Sequence, residues 1–516
     1  MQRDLVVAYF DTKWFFCHIC AALGTRERPA QGRSSNAGGT DAGLVRLRGT
    51  SSTKEAHSSN PYDATNHRGQ RLRTLTCELL LARRCVHLQD SCEALMQASD
   101  LKTTTGLRIN GQRLWGSLMD LARIGATDKG GVRRLALTDL DRQGRNLVVG
   151  WLREAGASIE VDGAGNIFAT RRGHRTDTHV VLTGSHLDTQ PSGGKFDGNY
   201  GVLAGLELLR TLNDAGITTE KPVGVAIWTN EEGNRFIPVM GGSGAFAGVF
   251  TLEYLLQQRD IDGISFGEAL NSIGYAGTSR VGERSVDAYF EAHIEQGPIL
   301  EREDKTIGVV TGALGQRWYD CIWTGQDAHA GPTPMEARHD ALRGASKIVQ
   351  EVHTMALRHA PDGRATVGFM QVKPNSRNVV PGQVTMSIDV RHPDDEELAT
   401  MDRELRDAAA AIARELRLEC EVRQVVEFPA SHFDVDCVSS VRSAAAMLGY
   451  PHREIVSGAA HDAVYLSRVA PTAMIFVPCK DGISHNEIED ARPEHLEAGC
   501  NVLLHAVMAR ARGRPS

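Results

Sequence analysis

Four short segments place residues of metal-ligand type directly after apolar runs. They are Gly184-Ser185-His186-Leu187-Asp188-Thr189, Asn230-Glu231-Glu232-Gly233, His293-Ile294-Glu295-Gln296-Gly297 and Ser484-His485-Asn486. A fifth, Phe196-Asp197-Gly198, sets a carboxylate between small or apolar neighbours in a loop where the backbone can come close to a cation. Convergent imidazoles and carboxylates are what a hydrolytic metal site requires. Singly, each has an ordinary reading: a lone His at a strand end is usually not a ligand, and a Glu pair is usually a solvated helix start. Five ligand-type residues at strand ends together point to a metal site.

For these segments to meet, the runs before them must lie side by side. Residues 179–184 (HVVLTG) and 223–228 (VGVAIW) read as buried strands, with a helix over 202–212 between them, and 289–292 and 471–477 (PTAMIFV) read as further strands. Such alternation predicts an α/β sheet with helices on both faces, and in open α/β sheets the ligand crevice lies beyond the carboxyl ends of the strands. Leu114, Leu118 and Leu121 recur at helical spacing, and a second amphipathic helix over 140–152 starts from Thr138 or Asp139. Helices over 438–448 and 493–511 close the chain. A different texture occupies about 315–427: strand 318–323, helix 335–359, strands 365–372 and 383–390, helix 396–416 and strand 419–426. That β-α-β-β-α-β order is the ferredoxin-like signature. The expected organisation is therefore an α/β catalytic domain in two parts, 107–314 and 428–516, with 315–427 inserted.

The 516 residues exceed one ordinary core, and 41% hydrophobic with 23% charged residues describe a globular protein. A net charge of −7 gives no general attraction to nucleic acid or anionic membranes. No apolar run approaches the roughly 20 residues that span a bilayer, and Asp4, Asp11 and Lys13 interrupt the start, so a cytoplasmic location is expected. Residues 1–106 form a poorly patterned extension that is expected to be disordered, and Met96 lies just before the patterned sequence, as an over-extended start would place it. The ten cysteines, five of them Cys17, Cys20, Cys77, Cys85 and Cys92, are expected to be mostly reduced. Cys17 and Cys20 lack the second pair that a zinc knuckle needs.

The blocks GSHLDTQPSGGKFDGNYGVLAGLE (184–207), TNEEGNRF (229–236), AHIEQGP (292–298), GQDAHAGPTPM (325–335), PNSRNVVPG (374–382), IDVRHP (388–393), SGAAHDA (457–463) and GISHNEIED (482–490) resemble, in order, the hydantoinase/carbamoylase branch of the dinuclear-zinc amidohydrolases related to aminoacylase. The resemblance spans about residues 108 to 512. It implies a metallo-aminopeptidase-like catalytic domain with an inserted ferredoxin-like α+β lid and dimerisation domain. It also implies two divalent ions, Zn or Mn (Co or Ni in vitro), held by His186, Asp197, Glu232, His293 and His485, with Asp197 bridging. Imidazole and carboxylate suit those metals.

By the same resemblance Glu231 is the general base, and His329 stabilises the tetrahedral oxyanion from the other subunit of a homodimer. Gln296 and His461 contact the ureido end of a small carboxylate-bearing substrate. Asp188, two residues beyond His186, is placed to accept the other ring N–H of that ligand. Asn378 and Arg391 are placed to take the substrate carboxylate, for which a planar guanidinium is the preferred partner, and closure of the inserted domain is expected to bring both onto it. Ala460 departs from the branch, which usually has glycine there. The implied reaction is hydrolysis of the carbamoyl C–N bond of N-carbamoyl-L-amino acids, N-carbamoyl-β-alanine included, to amino acid, CO2 and ammonia. Allantoate amidohydrolysis is the alternative within the class, and a catalytically inactive dimer that binds a ureido compound is the alternative outside it.

Overall fold

A computed structural model describes residues 106–175 and 179–512. The N-terminal extension, its five cysteines and the start at Met96 lie outside the described residues. Within them Cys321, Cys420, Cys437, Cys479 and Cys500 are free thiols, and no helix is long and apolar enough to cross a membrane.

Helix α1 (Gly111–Ala122) begins at Asn110, whose side chain accepts from the Arg113 N–H, and it buries Leu114, Leu118 and Leu121 along one stripe. Helix α2 (Asp139–Glu154) begins at Thr138 in the same way. An antiparallel ribbon, β1 (Ser158–Val161) and β2 (Ile167–Arg171), precedes β3 (Val180–His186). Helix α3 (Asn199–Asp214) crosses to β4 (Val223–Trp228). Both β3 and β4 are buried along their whole length, as their apolar runs predict. Short helices α4 (Gly241–Phe246), α5 (Leu252–Gln257) and α6 (Phe266–Ser272) lead to β5 (Val286–Ile294), α7 (Ile299–Arg302) and β6 (Ile307–Ala313).

The chain then leaves this sheet for β7 (Gly315–Thr324), β8 (Ala328–His329), α8 (Ala341–Arg358), β9 (Arg364–Lys373), β10 (Val379–Val380), β11 (Gln383–His392), α9 (Asp395–Leu416) and β12 (Glu419–Phe428). It returns through β13 (Ser431–His432), α10 (Val435–Leu448), β14 (His452–Ser457), α11 (Asp462–Leu466), β15 (Thr472–Val477) and α12 (Pro493–Ala511). The excursion forms an antiparallel sheet in the order β12-β7-β11-β9, covered on one face by α8 and α9. Its β-α-β-β-α-β order is the expected ferredoxin-like unit.

The main sheet runs β1-β2-β4-β3-β5-β15-β6-β13, with β14 also paired to β6. Strands β4, β3, β5 and β15 are parallel neighbours. Their carboxyl ends share one edge, which places the turns after Trp228, His186, Ile294 and Val477 around one crevice. A wholly buried Arg134 braces that edge: its guanidinium donates to the Leu187 carbonyl (2.9 Å), the Ile124 carbonyl (2.8 Å) and Asn199 Oδ1 (2.6 Å). It thereby joins the end of α1, the turn after β3 and the start of α3.

Two local expectations change. The helix expected over 335–359 is divided, because a 3-10 turn at Met335–Ala337 ends in extended backbone and Asp340 caps α8 by accepting from Leu342 N (3.0 Å) and Arg343 N (3.2 Å). An Asp side chain competes for amides that a continuous helix would use. Strands β1, β2, β6 and β14 are additions to the expected sheet, and the His452-Arg453-Glu454 start of β14 is too polar to read as a buried strand.

Candidate metal centre

His186 is the last residue of β3, and its Nδ1 lies 2.8 Å from the Asp188 backbone carbonyl. His293, near the end of β5, sets its Nδ1 2.9 Å from the Ile294 carbonyl. A ring nitrogen facing a carbonyl carries a proton, so in their neutral form both rings have the lone pair on Nε2, turned into the crevice. Those lone pairs face the Asp197 carboxylate: Oδ1 lies 3.2 Å from His293 Nε2 and 3.6 Å from His186 Nε2. The other oxygen, Oδ2, lies 3.3 Å from His485 Nε2, which in turn is 3.5 Å from Glu232 Oε2. Asp197 therefore divides its two oxygens between two donor groups, His186 with His293 and Glu232 with His485.

Close packing holds this arrangement. At Gly198, which has φ +67°, a Cβ would lie 2.4 Å from the His186 ring, so only glycine lets the loop pass over the imidazole. Asn230, Gln296 and His485, one in each of three site turns, hold left-handed backbone at φ 57°, 57° and 53°. Such strain in non-glycine residues concentrates at functional sites.

Asp188 acts differently from its expected role. Its carbonyl, not its carboxylate, faces the His186 ring; the carboxylate accepts from the backbone N–H groups of Glu231 (3.3 Å) and Glu232 (3.2 Å). It thus orients the Glu pair. Glu231 Oε2 lies 3.5 Å from His186 Nε2, while Glu232 takes a hydrogen bond from Gln190 Nε2 on Oε2 and keeps Oε1 buried without a partner.

The electrostatics fit a cation. Burial, then Asp462 and Glu232, pushes Glu231 well above the usual carboxylate range, and burial, then Asp197, does the same to Glu232. At Asp197 burial is overruled by the hydrogen bonds of His293 and His485 and the charges of His293 and His186, which hold it well below that range. His293 is raised to about 9, because Asp197 outweighs the burial of the ring. Crowded carboxylates and an orphan buried carboxylate oxygen repel one another unless positive charge lies between them.

Two triads have ligand atoms close enough to hold an ion, His186/Asp197/His293 and Asp197/Glu232/His485, and they share Asp197. A third, Glu291/His293/His461, is unsuited: Glu291 already accepts from Ser185 Oγ (2.6 Å), Ala463 N (3.0 Å) and Tyr289 Oη (3.2 Å).

Gln296 donates to Asp197 Oδ2 (2.9 Å), and the buried His461 packs its ring 4.5 Å from that of His293, with Nε2 3.0 Å from Ser457 Oγ. Beside them a cleft of about 1200 Å³ separates the open face of the four-stranded sheet from the rim of the main sheet; Gln296, Gly458, Trp318 and Arg391 line it. Arg391 is held from both sides, by Asp389 (2.7 and 3.0 Å) and by the Gly458 carbonyl (2.9 Å).

His329 and Asn378 stand elsewhere. They share the β8–β10 ribbon, where His329 pairs with Val379 and the Asn378 carbonyl accepts from Ala330 N (2.9 Å), and both are exposed. The ribbon continues the Thr324/Gln383 end of the sheet, whereas Arg391 pairs with Gln316 at the opposite end. Eight residues of β11 intervene, roughly 27 Å of strand. Asn378 and Arg391 of one chain therefore do not meet on one carboxylate, which corrects the expectation that lid closure brings both together. The spacing of the two motifs in sequence carried no information about register.

The sequence pattern of Peptidase family M20/M25/M40 matches residues 182–509. The chain is 49% identical to the N-carbamoyl-L-amino-acid amidohydrolase of Rhizobium meliloti over 78% of its length and 97% of the relative. It is 33% identical to the allantoate amidohydrolase of Bacillus subtilis over 74% and 93% of the two chains. A crystal structure of an amidase of the hydantoinase/carbamoylase family from Burkholderia multivorans superposes with a TM-score of 0.77 at 61% identity, over 79% of this chain and 99% of that one.

Divalent cations should therefore stabilise the fold. In chelator-stripped protein, Mn or Zn at about a hundred times its Kd should add about 2.7 kcal/mol per ion, read as a rise in Tm. Asp197→Asn should lose most of that rise, and a wild-type Tm indifferent to both metals contradicts the site.

Proposed function

Because the chain belongs to the hydantoinase/carbamoylase family within the M20/M25/M40 peptidases, we propose that it hydrolyses the carbamoyl C–N bond of N-carbamoyl-L-amino acids, releasing amino acid, CO2 and ammonia. The observation that carries this reading is the division of Asp197 between two donor groups with Glu231 beside them. His186, Asp197 and His293 would hold one divalent ion, Zn or Mn, and Asp197, Glu232 and His485 the other. When bound, such a pair polarises the scissile carbonyl and makes water a nucleophile near neutral pH.

Glu231 takes the proton of the attacking water and returns it to the departing nitrogen. The Asp188 carboxylate fixes the backbone from which Glu231 projects. Gln296 and His461, both beside the ligands, contact the ureido end. Arg391 takes the substrate carboxylate. Asp389 and Gly458 occupy three of its N–H groups and leave one on each terminal nitrogen, a fork suited to a carboxylate.

The separation of the β8–β10 ribbon from Arg391 supports a homodimer in which His329 and Asn378 complete the site of the partner subunit, His329 donating to the oxyanion of the tetrahedral intermediate. The boundaries 107–314, 315–427 and 428–516 then divide catalytic from lid and dimerisation functions.

Ammonia release tests the substrate. Metal-reconstituted protein offered N-carbamoyl-L-amino acids, N-carbamoyl-β-alanine and allantoate should turn over the first group fastest. Glu231→Gln should keep its metal and lose about 10²–10⁴-fold in turnover. Preference for allantoate selects the alternative substrate, and no turnover of any refutes the proposal.

Subunit complementation tests the dimer. Glu231→Gln and His329→Ala are each expected to be nearly inactive. Mixed by co-expression, they should regain about a quarter of wild-type activity, because half of random dimers carry one intact site. Activity that stays at the level of the separate variants places His329 in its own subunit's site or in none.

A further inference from the structure

The shared carboxylate Asp197 and the half-exposed ligand His485 both sit on irregular loops, 193–198 and 483–490, outside any helix or strand. One buried side chain with no role in the chemistry above joins those loops. Glu489, 2% exposed, accepts on Oε1 from the backbone N–H groups of Phe196 (2.9 Å) and Asp197 (3.2 Å), and on Oε2 from Ser484 Oγ (2.7 Å). Ser484 precedes His485, and its hydroxyl also lies 3.1 Å from Asp197 Oδ2. The first loop closes over this carboxylate only because residue 194 is glycine: a Cβ there would lie 2.0 Å from Glu489 Cδ and Oε1.

We propose that Glu489 is a positioning residue of the metal centre, a clamp that holds the Asp197 loop and the Ser484-His485 turn in one register so that both face the same ion. The inference rests on the reading of Asp197, Glu232 and His485 as ligands. The clamp works through geometry. Without it two backbone N–H groups lose their acceptor and each loop relaxes independently, so Asp197 Oδ2 and His485 Nε2 no longer present themselves together. His186 and His293 are anchored by strands and do not depend on it.

Substitution separates this role from simple charge. Glu489→Gln keeps an oxygen for the two backbone N–H groups and gives Ser484 a donor in place of an acceptor, which the hydroxyl accommodates by rotating. Glu489→Ala removes both connections.

The test is Mn binding to the full chain, measured by competition with a chromophoric chelator, with the electron paramagnetic resonance signal of a coupled Mn pair as a second readout. Wild type should bind two ions and show coupling. Glu489→Ala should bind the more weakly held ion about 10–100-fold less tightly, the range expected for lost support of metal ligands, keep the other, and lose the coupled signal. Glu489→Gln should stay within a few-fold of wild type for both. Wild-type affinity for both ions in Glu489→Ala overturns the clamp, and equal loss in Glu489→Gln overturns its geometric basis. If Glu489→Ala does not fold by circular dichroism, Gly194→Ala, whose methyl displaces the same carboxylate, decides, and unchanged affinity there overturns the proposal. A wild-type chain that binds no ion refutes the metal centre itself and the clamp with it.

Discussion

A single buried carboxylate with its two oxygens turned to different partners sets the terms for the rest of the structure. Asp197 can serve His186 and His293 on one side and His485 with Glu232 on the other only if four separate turns end within a few ångströms of it. Parallel strands β4, β3, β5 and β15 supply that convergence, because a parallel sheet delivers every carboxyl end to the same edge. Burying so many acids together opposes their ionisation, as the raised Glu231 and Glu232 show, and the arrangement makes physical sense as a receptor for cations.

Supporting groups distribute the task of holding such a site rigid. Arg134 ties three backbone segments under the edge, Asp188 holds the amides of the Glu pair, and glycine at 198 lets a loop cross the face of His186. Each contact is modest by itself, since a buried hydrogen bond contributes about 1 kcal/mol net. Their value lies in fixing ligand atoms before any ion or substrate arrives.

Much of this was legible in the residues themselves. The apolar runs of β3 and β4 predicted buried strands of an α/β sheet, and ligand-type residues directly beyond them predicted the crevice. What escaped depends on tertiary placement. The role of Asp188 falls on its backbone oxygen as much as on its side chain, which residue type cannot reveal. Glu489 lies inside the GISHNEIED block, yet nothing in that block distinguishes it from the exposed Asn486 and Asp490 on either side of it. The separation of Asn378 from Arg391 is a matter of strand register over the length of β11, which the sequence spacing of the two motifs does not reveal.

The central claim, that Asp197 is shared between two ions, is tested most directly by crystallography of Mn-loaded protein with anomalous scattering at the Mn absorption edge. Two anomalous peaks about 3.5–4 Å apart, one bonded to each oxygen of Asp197, are the expected result. A single peak, or two with Asp197 bound to only one of them, would contradict it.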